Sequence, residues 1–368
     1  MRLETLSILN YKNIREAELR FCSNINCFIG NNGMGKTNVL DAIYYLSFCK
    51  SHFNVIDSQN IEHNSDFFVL QGHYRMKGVE EHIFCGVKRR QKKQFKRNKK
   101  EYTRISDHIG LLPLVFVSPN DSELIEAGSE ERRRFVDGVI SQYDRTYLHH
   151  LLDYANLLKQ RNALLKLEQL PEETYFQVIE EQMAVHAVYI YNARVQFITK
   201  FEPIFQQYYR YISEDKELVS LSYLSQLHDR ELTAALARTR ERDLILGYTT
   251  QGIHKDDFEM KLGDYPIKRV GSQGQNKTYL IALKLAQFEF LSQTHGVQPL
   301  LLLDDIFDKL DASRVRRIVE LVGSERFGQI FITDTNREHL DEILTQIAQT
   351  ASIFYVENGV ITEQKTLI

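Results

Sequence analysis

Eight consecutive residues, Gly30-Asn31-Asn32-Gly33-Met34-Gly35-Lys36-Thr37, constrain this chain more than any other stretch. They satisfy G-x-x-x-x-G-K-[ST], follow an apolar run that ends at Ile29, and precede residues 39–48, whose apolar positions recur at helical spacing. A strand, a glycine-rich loop and a helix in that order make a phosphate cradle. Glycines let the backbone turn its N–H groups inward, and the helix N-terminus adds positive potential. Lys36 is placed to neutralise the β and γ phosphates, and Thr37 offers a hydroxyl to Mg²⁺. ATP and Mg²⁺ are therefore the expected ligands, with residues 30–37 as the binding loop.

A chain built on this loop needs acids opposite it, and Leu301-Leu302-Leu303-Asp304-Asp305 supplies an apolar strand that ends in two carboxylates. Asp304 is expected to hold Mg²⁺, and Asp305 to orient or deprotonate the attacking water, with Lys36 as the other catalytic group. Ser272-Gln273-Gly274-Gln275 opens a further helix. Its hydroxyl and free N–H groups make a second anion site, carried by Ser272, Gly274 and Gln275. Two phosphate sites in one chain resemble the ABC-type ATPases, in which the signature motif of one protomer closes over the γ-phosphate held by the P-loop of the other. Asp311 falls where the D-loop of that class stands.

Around these motifs the pattern changes twice. The first third reads as strands and turns, including an antiparallel pair over Phe67–Val87 with Gly78 in its turn and a short buried strand over Leu114–Val117. The middle is helical: Ser129 opens one helix with Glu130 and Glu131 in its first turn, and Phe176, Ile179, Met183, Ala187, Ile190, Ala193 and Phe197 predict a second, long one. The final third alternates strands at 298–304, 329–333 and 352–356 with helices around 311–322 and 337–349, which completes a parallel α/β sheet. The expected organisation is 1–120 with the P-loop and an antiparallel region, 121–245 as a helical insert, and 246–368 with the signature, the acidic strand and the D-loop.

Composition narrows the function classes. The formal net charge is only −3, so affinity for nucleic acid must come from placement of cations and not from their total. Nine basic residues fall between Lys88 and Lys100, either as phosphate contacts or as a solvated hairpin rim. Arg132, Arg133 and Arg134 are likewise open to phosphate contact or to ion pairs with nearby acids. The four cysteines match no zinc spacing, the sequence lacks an apolar secretory leader, and no apolar run approaches the roughly 18 residues of a membrane span. A cytoplasmic protein without membrane contact is expected.

With these elements in order, the chain resembles the RecF family of DNA gap-repair ATPases, relatives of the SMC class that lack its long coiled-coil arms. The likeness rests on Leu9-Asn10-Tyr11-Lys12-Asn13, Phe116-Val117-Ser118-Pro119-Asn120-Asp121, Arg132-Arg133-Arg134-Phe135-Val136-Asp137 and Gly252-Ile253-His254-Lys255-Asp256-Asp257, together with the P-loop, signature and acidic strand. It implies an α/β fold: an ABC-type P-loop ATPase head, with a mixed β lobe and a parallel α/β core, carrying an α-helical insert domain. It also implies an ATP-dependent homodimer, weak DNA-stimulated hydrolysis and association with the nucleoid. The expected partners are double-stranded DNA at junctions with single strands and a RecR-like mediator, in a pathway with RecO that places RecA. The family usually has Pro and Arg at Ile253 and Lys255, and Thr333-Asp334-Thr335 lacks the histidine of the general ABC switch. The alternative reading is a stand-alone ABC-type head acting on a protein or on RNA.

Overall fold

The computed structural model describes residues 1–169, 172–228, 231–306, 310–324, 326–335 and 351–367. The helix expected around 337–349 lies outside the described residues. The chain begins with β1 (Arg2–Tyr11), β2 (Ile14–Arg20), β3 (Ile25–Ile29), α1 (Lys36–Phe48), β4 (Phe67–Met76), β5 (Val79–Lys88), β6 (Gln94–Arg97), β7 (Lys100–Glu101) and β8 (Leu114–Val117). It continues through α2 (Glu123–Glu126), α3 (Ser129–Tyr143), α4 (Arg145–Leu164), α5 (Glu173–Ser213), β9 (Val219–Leu224), α6 (Leu232–Leu246), β10 (Asp257–Leu262), β11 (Tyr265–Pro266) and α7 (Ile267–Val270). It closes with α8 (Gln273–His295), β12 (Leu300–Asp304), α9 (Ala312–Val322), β13 (Ile330–Asp334), β14 (Ala351–Glu357) and β15 (Val360–Leu367).

Two compact units emerge from this order: Met1–Asp121 with Tyr211–Glu214 and Gln273–Ile368, and Ser122–Arg210 with Asp215–Ser272. The first unit contains two six-stranded sheets. One runs β2-β1-β4-β5-β6-β7 and is antiparallel. Burial alternates along β4 and β5, as it does when one sheet face meets a core and the other meets water. Lys77 and Gly78 both have positive φ (50° and 82°), the signature of the tight turn that matches strand twist, so the pair expected over Phe67–Val87 closes where Gly78 stands. The other sheet runs β15-β14-β3-β13-β12-β8. Its strands are parallel except for β15, and β3, β8, β12 and β13 are buried at every position, which is why they read as unbroken apolar runs.

The second unit joins helices to a three-stranded sheet, β11-β10-β9, that periodicity did not suggest. Pairing of β10 with β9 places Asp257–Leu262 in this unit, so residues 246–272 cluster with the insert and not with the C-terminal segment they were grouped with. Helix α5 runs well past the expected end at Phe197, through Pro203 to Ser213.

Two fully buried arginines organise this unit. Arg194 donates to both oxygens of Asp137 (2.9 and 3.1 Å), to Ile253 O (2.9 Å) and to Asp256 Oδ2 (3.2 Å). Arg161 pairs with Glu180 (2.9 Å) and Asp243 (2.8 Å) and donates to Thr249 Oγ1 (2.8 Å). Among the described residues, no helix is long and apolar enough to cross a membrane.

Candidate nucleotide site

Loop Gly30–Thr37 leaves β3 and enters α1, with Asn31, Asn32 and Gly33 exposed at its tip. Two turns hold its base. Asn13, between β1 and β2, donates through Nδ2 to Met34 O (3.1 Å) and accepts at Oδ1 from Asn38 Nδ2 (2.7 Å). Gly359, between β14 and β15, donates its N–H to the same Met34 O (2.9 Å). At Gly30 a Cβ would stand 2.2 Å from Val356 O, so only glycine lets the loop start against β14. Gly35 caps α1 with φ 112°, and a side chain there would meet the Asn13 amide at 2.7 Å.

Lys36 is 4% exposed, and its ammonium donates to Gly30 O (2.8 Å) and Asn31 O (3.2 Å), so the cation is held across the loop by the loop's own carbonyls. Thr37 Oγ1 lies 2.9 and 3.0 Å from the two carboxylate oxygens of Asp304. The P-loop helix and the acidic strand therefore meet side chain to side chain. Thr333 completes the junction: its hydroxyl donates to Asp304 Oδ1 (2.7 Å) and accepts from the Asp305 N–H (3.0 Å).

Burial pushes the Asp304 carboxyl above the usual carboxylate range and the nearby Asp305 adds to this, while the hydroxyls of Thr333 and Thr37 and the Lys36 ammonium oppose it. Asp305, at the turn after β12, has φ 46°. A hydroxyl and a carboxylate converging on one point are hard oxygen donors, the set that suits Mg²⁺ with phosphate oxygens completing its shell.

A second cluster surrounds the start of α8. Ser272 is exposed immediately before the helix, and Gln275 lies in its first turn. Thr278 Oγ1 donates to Gly274 O (2.7 Å) and accepts from Arg314 Nη1 (2.9 Å). Asp311 caps α9 by accepting from Arg314 N (2.9 Å), and that N–H holds its carboxyl below the usual range. Among the described hydrogen bonds, Thr278 joins the start of α8 to α9 through Arg314, whereas the side chain of Thr37 leads to Asp304.

Other charged groups sit where the sequence alone could not place them. Asp41 on α1 is fully buried and accepts from Lys12 Nζ (2.6 Å), Tyr11 OH (2.7 Å), Ser51 Oγ (2.6 Å) and His52 N (2.7 Å). The only hint was an acid inside the apolar run Val39–Leu46. Lys284, midway along α8, pairs with Asp121 (2.7 Å) and donates to Phe116 O (2.8 Å), which explains the block at 116–121. Arg132 binds both oxygens of Asp257 (2.7 and 3.0 Å), Arg133 donates to Asp256 O (2.5 Å), and Arg134 pairs with Glu131 and Glu130. Of the two readings left open for these arginines, ion pairs and internal hydrogen bonds are what the structure shows.

The basic run divides as well. Lys93 pairs with Asp57 (2.9 Å) and donates to Cys49 O (2.6 Å), and Arg97 pairs with Glu81 (2.5 Å), so both are structural. Lys96 lies over the Phe84 ring (5.4 Å to its centre). Lys88, Arg89, Arg90, Lys92, Lys99 and Lys100 are exposed, at the end of β5, the start of β7 and the turns on either side of β6.

A phosphate loop joined to an acidic strand in a parallel sheet, beside an antiparallel sheet and with a helix-rich second unit, defines a P-loop ATPase head of the SMC type. The family model described as RecF/RecN/SMC N terminal domain matches residues 2–362. The DNA replication and repair protein RecF of Bacteroides fragilis strain YCH46 is 61% identical over 366 residues, 99% of each chain, and that of Phocaeicola vulgatus is 60% identical over the full length of both. Among solved structures, one of RecF-ATP of the RecFOR pathway superimposes with a TM-score of 0.90 at 28% identity, covering 99% of this chain and 97% of the other. An Smc head bound to the C-winged helix domain of ScpA shares the fold at a TM-score of 0.61 and 15% identity. The chain belongs to the RecF family of DNA replication and repair proteins and has the fold of an ABC-type ATPase head.

Proposed function

We propose that this chain is an ATP-gated DNA clamp of recombinational gap repair. Two copies close around two ATP molecules, the closed dimer grips double-stranded DNA at junctions with single strands, and slow, DNA-stimulated hydrolysis releases it. It works with RecR- and RecO-like partners to place RecA, in the cytoplasm at the nucleoid. The observation that carries this reading is the direct contact of Thr37 with Asp304, which brings the phosphate loop and the acidic strand into one site. The RecF-ATP structure at 28% identity supports the ligand.

In this reading residues 30–37 hold the phosphates through their N–H groups and Lys36, and Thr37 with Asp304 would hold Mg²⁺, which lends positive charge against the phosphates. Asp305 orients or deprotonates the attacking water, and its short side chain suits a timer more than a motor. Ser272, Gly274 and Gln275 of the second copy close over the γ-phosphate. The exposed cations of 88–92 and 99–100 supply sequence-independent phosphate contacts.

Light scattering with ADP or a non-hydrolysable ATP analogue, each with and without a short duplex, tests the clamp. A dimer is expected only with the ATP analogue, tightened by duplex; a monomer under all four conditions overturns it. Lys36→Ala abolishes nucleotide binding and dimerisation, Ser272→Arg keeps binding and blocks closure, and Asp305→Asn binds ATP and stays dimeric.

A further inference from the structure

The strand that separates the phosphate-loop strand from the acidic strand carries a hydroxyl bonded to the carboxyl of the first acid and to the backbone N–H of the second. In the sheet, β13 lies between β3 and β12, with Thr333 in register with Phe28 on one side and Asp304 on the other. Thr333 is fully buried. Its one proton goes to Asp304 Oδ1 (2.7 Å), and its lone pair receives the Asp305 N–H (3.0 Å), so both capacities of the hydroxyl are used on consecutive residues. Asp304 Oδ1 also receives Thr37 Oγ1 at 2.9 Å. Asp305 stands at φ 46°, a conformation that residues other than glycine seldom adopt, and the bond from its N–H to Thr333 is the described side-chain contact at that turn.

From this geometry we infer that Thr333 is a positioning residue that fixes the Asp304 carboxylate for the metal and the turn that aims Asp305, so that metal binding and water activation share one anchor. Thr333 touches neither nucleotide nor metal in this scheme; it acts through the two acids, as the outer partner of a metal ligand does. The inference rests on the proposed nucleotide site.

The test is a titration of a fluorescent ATP analogue onto the full chain in EDTA and across Mg²⁺ concentrations, for the parent, Thr333→Val, Thr333→Ala and Thr333→Ser. Val and Ala both lose the hydroxyl, and Val keeps the volume. For both, affinity in EDTA is expected to stay within about twofold of the parent, while the Mg²⁺ concentration at half-effect rises on the order of tenfold. At saturating Mg²⁺ kcat falls while KM stays near the parent value, and Thr333→Ser restores both readouts. Parent-like Mg²⁺ dependence in Val and Ala overturns the inference, as does a Ser variant no better than Val, which assigns the effect to the methyl. A parent chain that fails to bind the analogue at any Mg²⁺ concentration overturns the nucleotide site itself, and the two failures are thereby distinct.

Discussion

Replacing Arg194 with Met tests how the second unit is held together. The guanidinium is 1% exposed and satisfies Asp137 at both oxygens, Asp256, Ile253 O and Tyr147 OH (3.1 Å). Met retains most of the aliphatic volume and removes every one of these bonds. Asp256 is then left buried with hydrogen bonds from Tyr223, Ser225 and the Gln226 backbone but no cation, and half-buried Asp137 with the hydroxyl of Tyr147. An ion pair broken from one side in a protein interior costs about 3–5 kcal/mol, because the remaining charge has lost its countercharge. Exchanging both sides costs less for the same reason. With a urea slope of about 2 kcal/mol per molar, the unfolding midpoint should drop by about 2 M. Adding Asp256→Asn to Arg194→Met should return part of the loss, a coupling of at least about 1 kcal/mol in the double-mutant cycle. A midpoint shift below about 0.5 M, or strictly additive single effects, refutes the argument that buried charge compensation holds this unit together.

Three further outcomes are expected. Gly30→Ala drives a Cβ into Val356 O, an overpacking cost of about 1–3 kcal/mol that weakens nucleotide binding by up to roughly five- to 150-fold; unchanged affinity in a fluorescence titration contradicts the close approach. His254 accepts at Nδ1 from Tyr154 OH (2.9 Å), its Nε2 lies 3.1 Å from Thr249 O, and burial pushes its pKa down to about 4. Because the folded pKa lies below the unfolded 6.5, the unfolded chain alone takes the proton between those values, and stability falls by up to about 3 kcal/mol as pH drops from 6.5 to 4. His254→Gln should flatten the urea midpoint against the parent between pH 6.5 and 5, and parallel curves reject it. Changing Lys88, Arg89, Arg90 and Lys92 together to Gln should lower the salt slope of duplex binding by up to about 3.6 with no change in melting temperature. Arg97→Gln, which strips the buried Glu81 of its partner, should lower the melting temperature instead; equal effects from the two changes contradict this division of the basic run.

What could be read from the chain follows from the range of the physics. Residues 30–37 are legible because a phosphate loop is a local device: spacing, glycines and the flanking strand and helix are contiguous. Leu301–Asp305 is legible because a strand buried on both faces is a continuous apolar run, and its acids follow at once. The sheet β9–β11 was missed because its strands are short and separated by a helix, so no local period announces their pairing. Arg132–Arg134 remained undecided because Asp257 and Asp256 O, which Arg132 and Arg133 bind in addition to local groups, lie more than a hundred residues away.

The sequence by itself determined the phosphate loop, the acidic strand, their order and the family blocks, since each is a pattern of neighbours along the chain. Only the tertiary structure decided which charges are paired inside the fold and which stay exposed. It set Thr37 against Asp304, gave Thr333 its place through strand order, buried Asp41 under Lys12, and paired Lys93 and Arg97 of the basic run with Asp57 and Glu81. The reason is that the effect of a charge depends on burial and on partners within a few ångströms, and folding assigns both across distances that no sequence window spans.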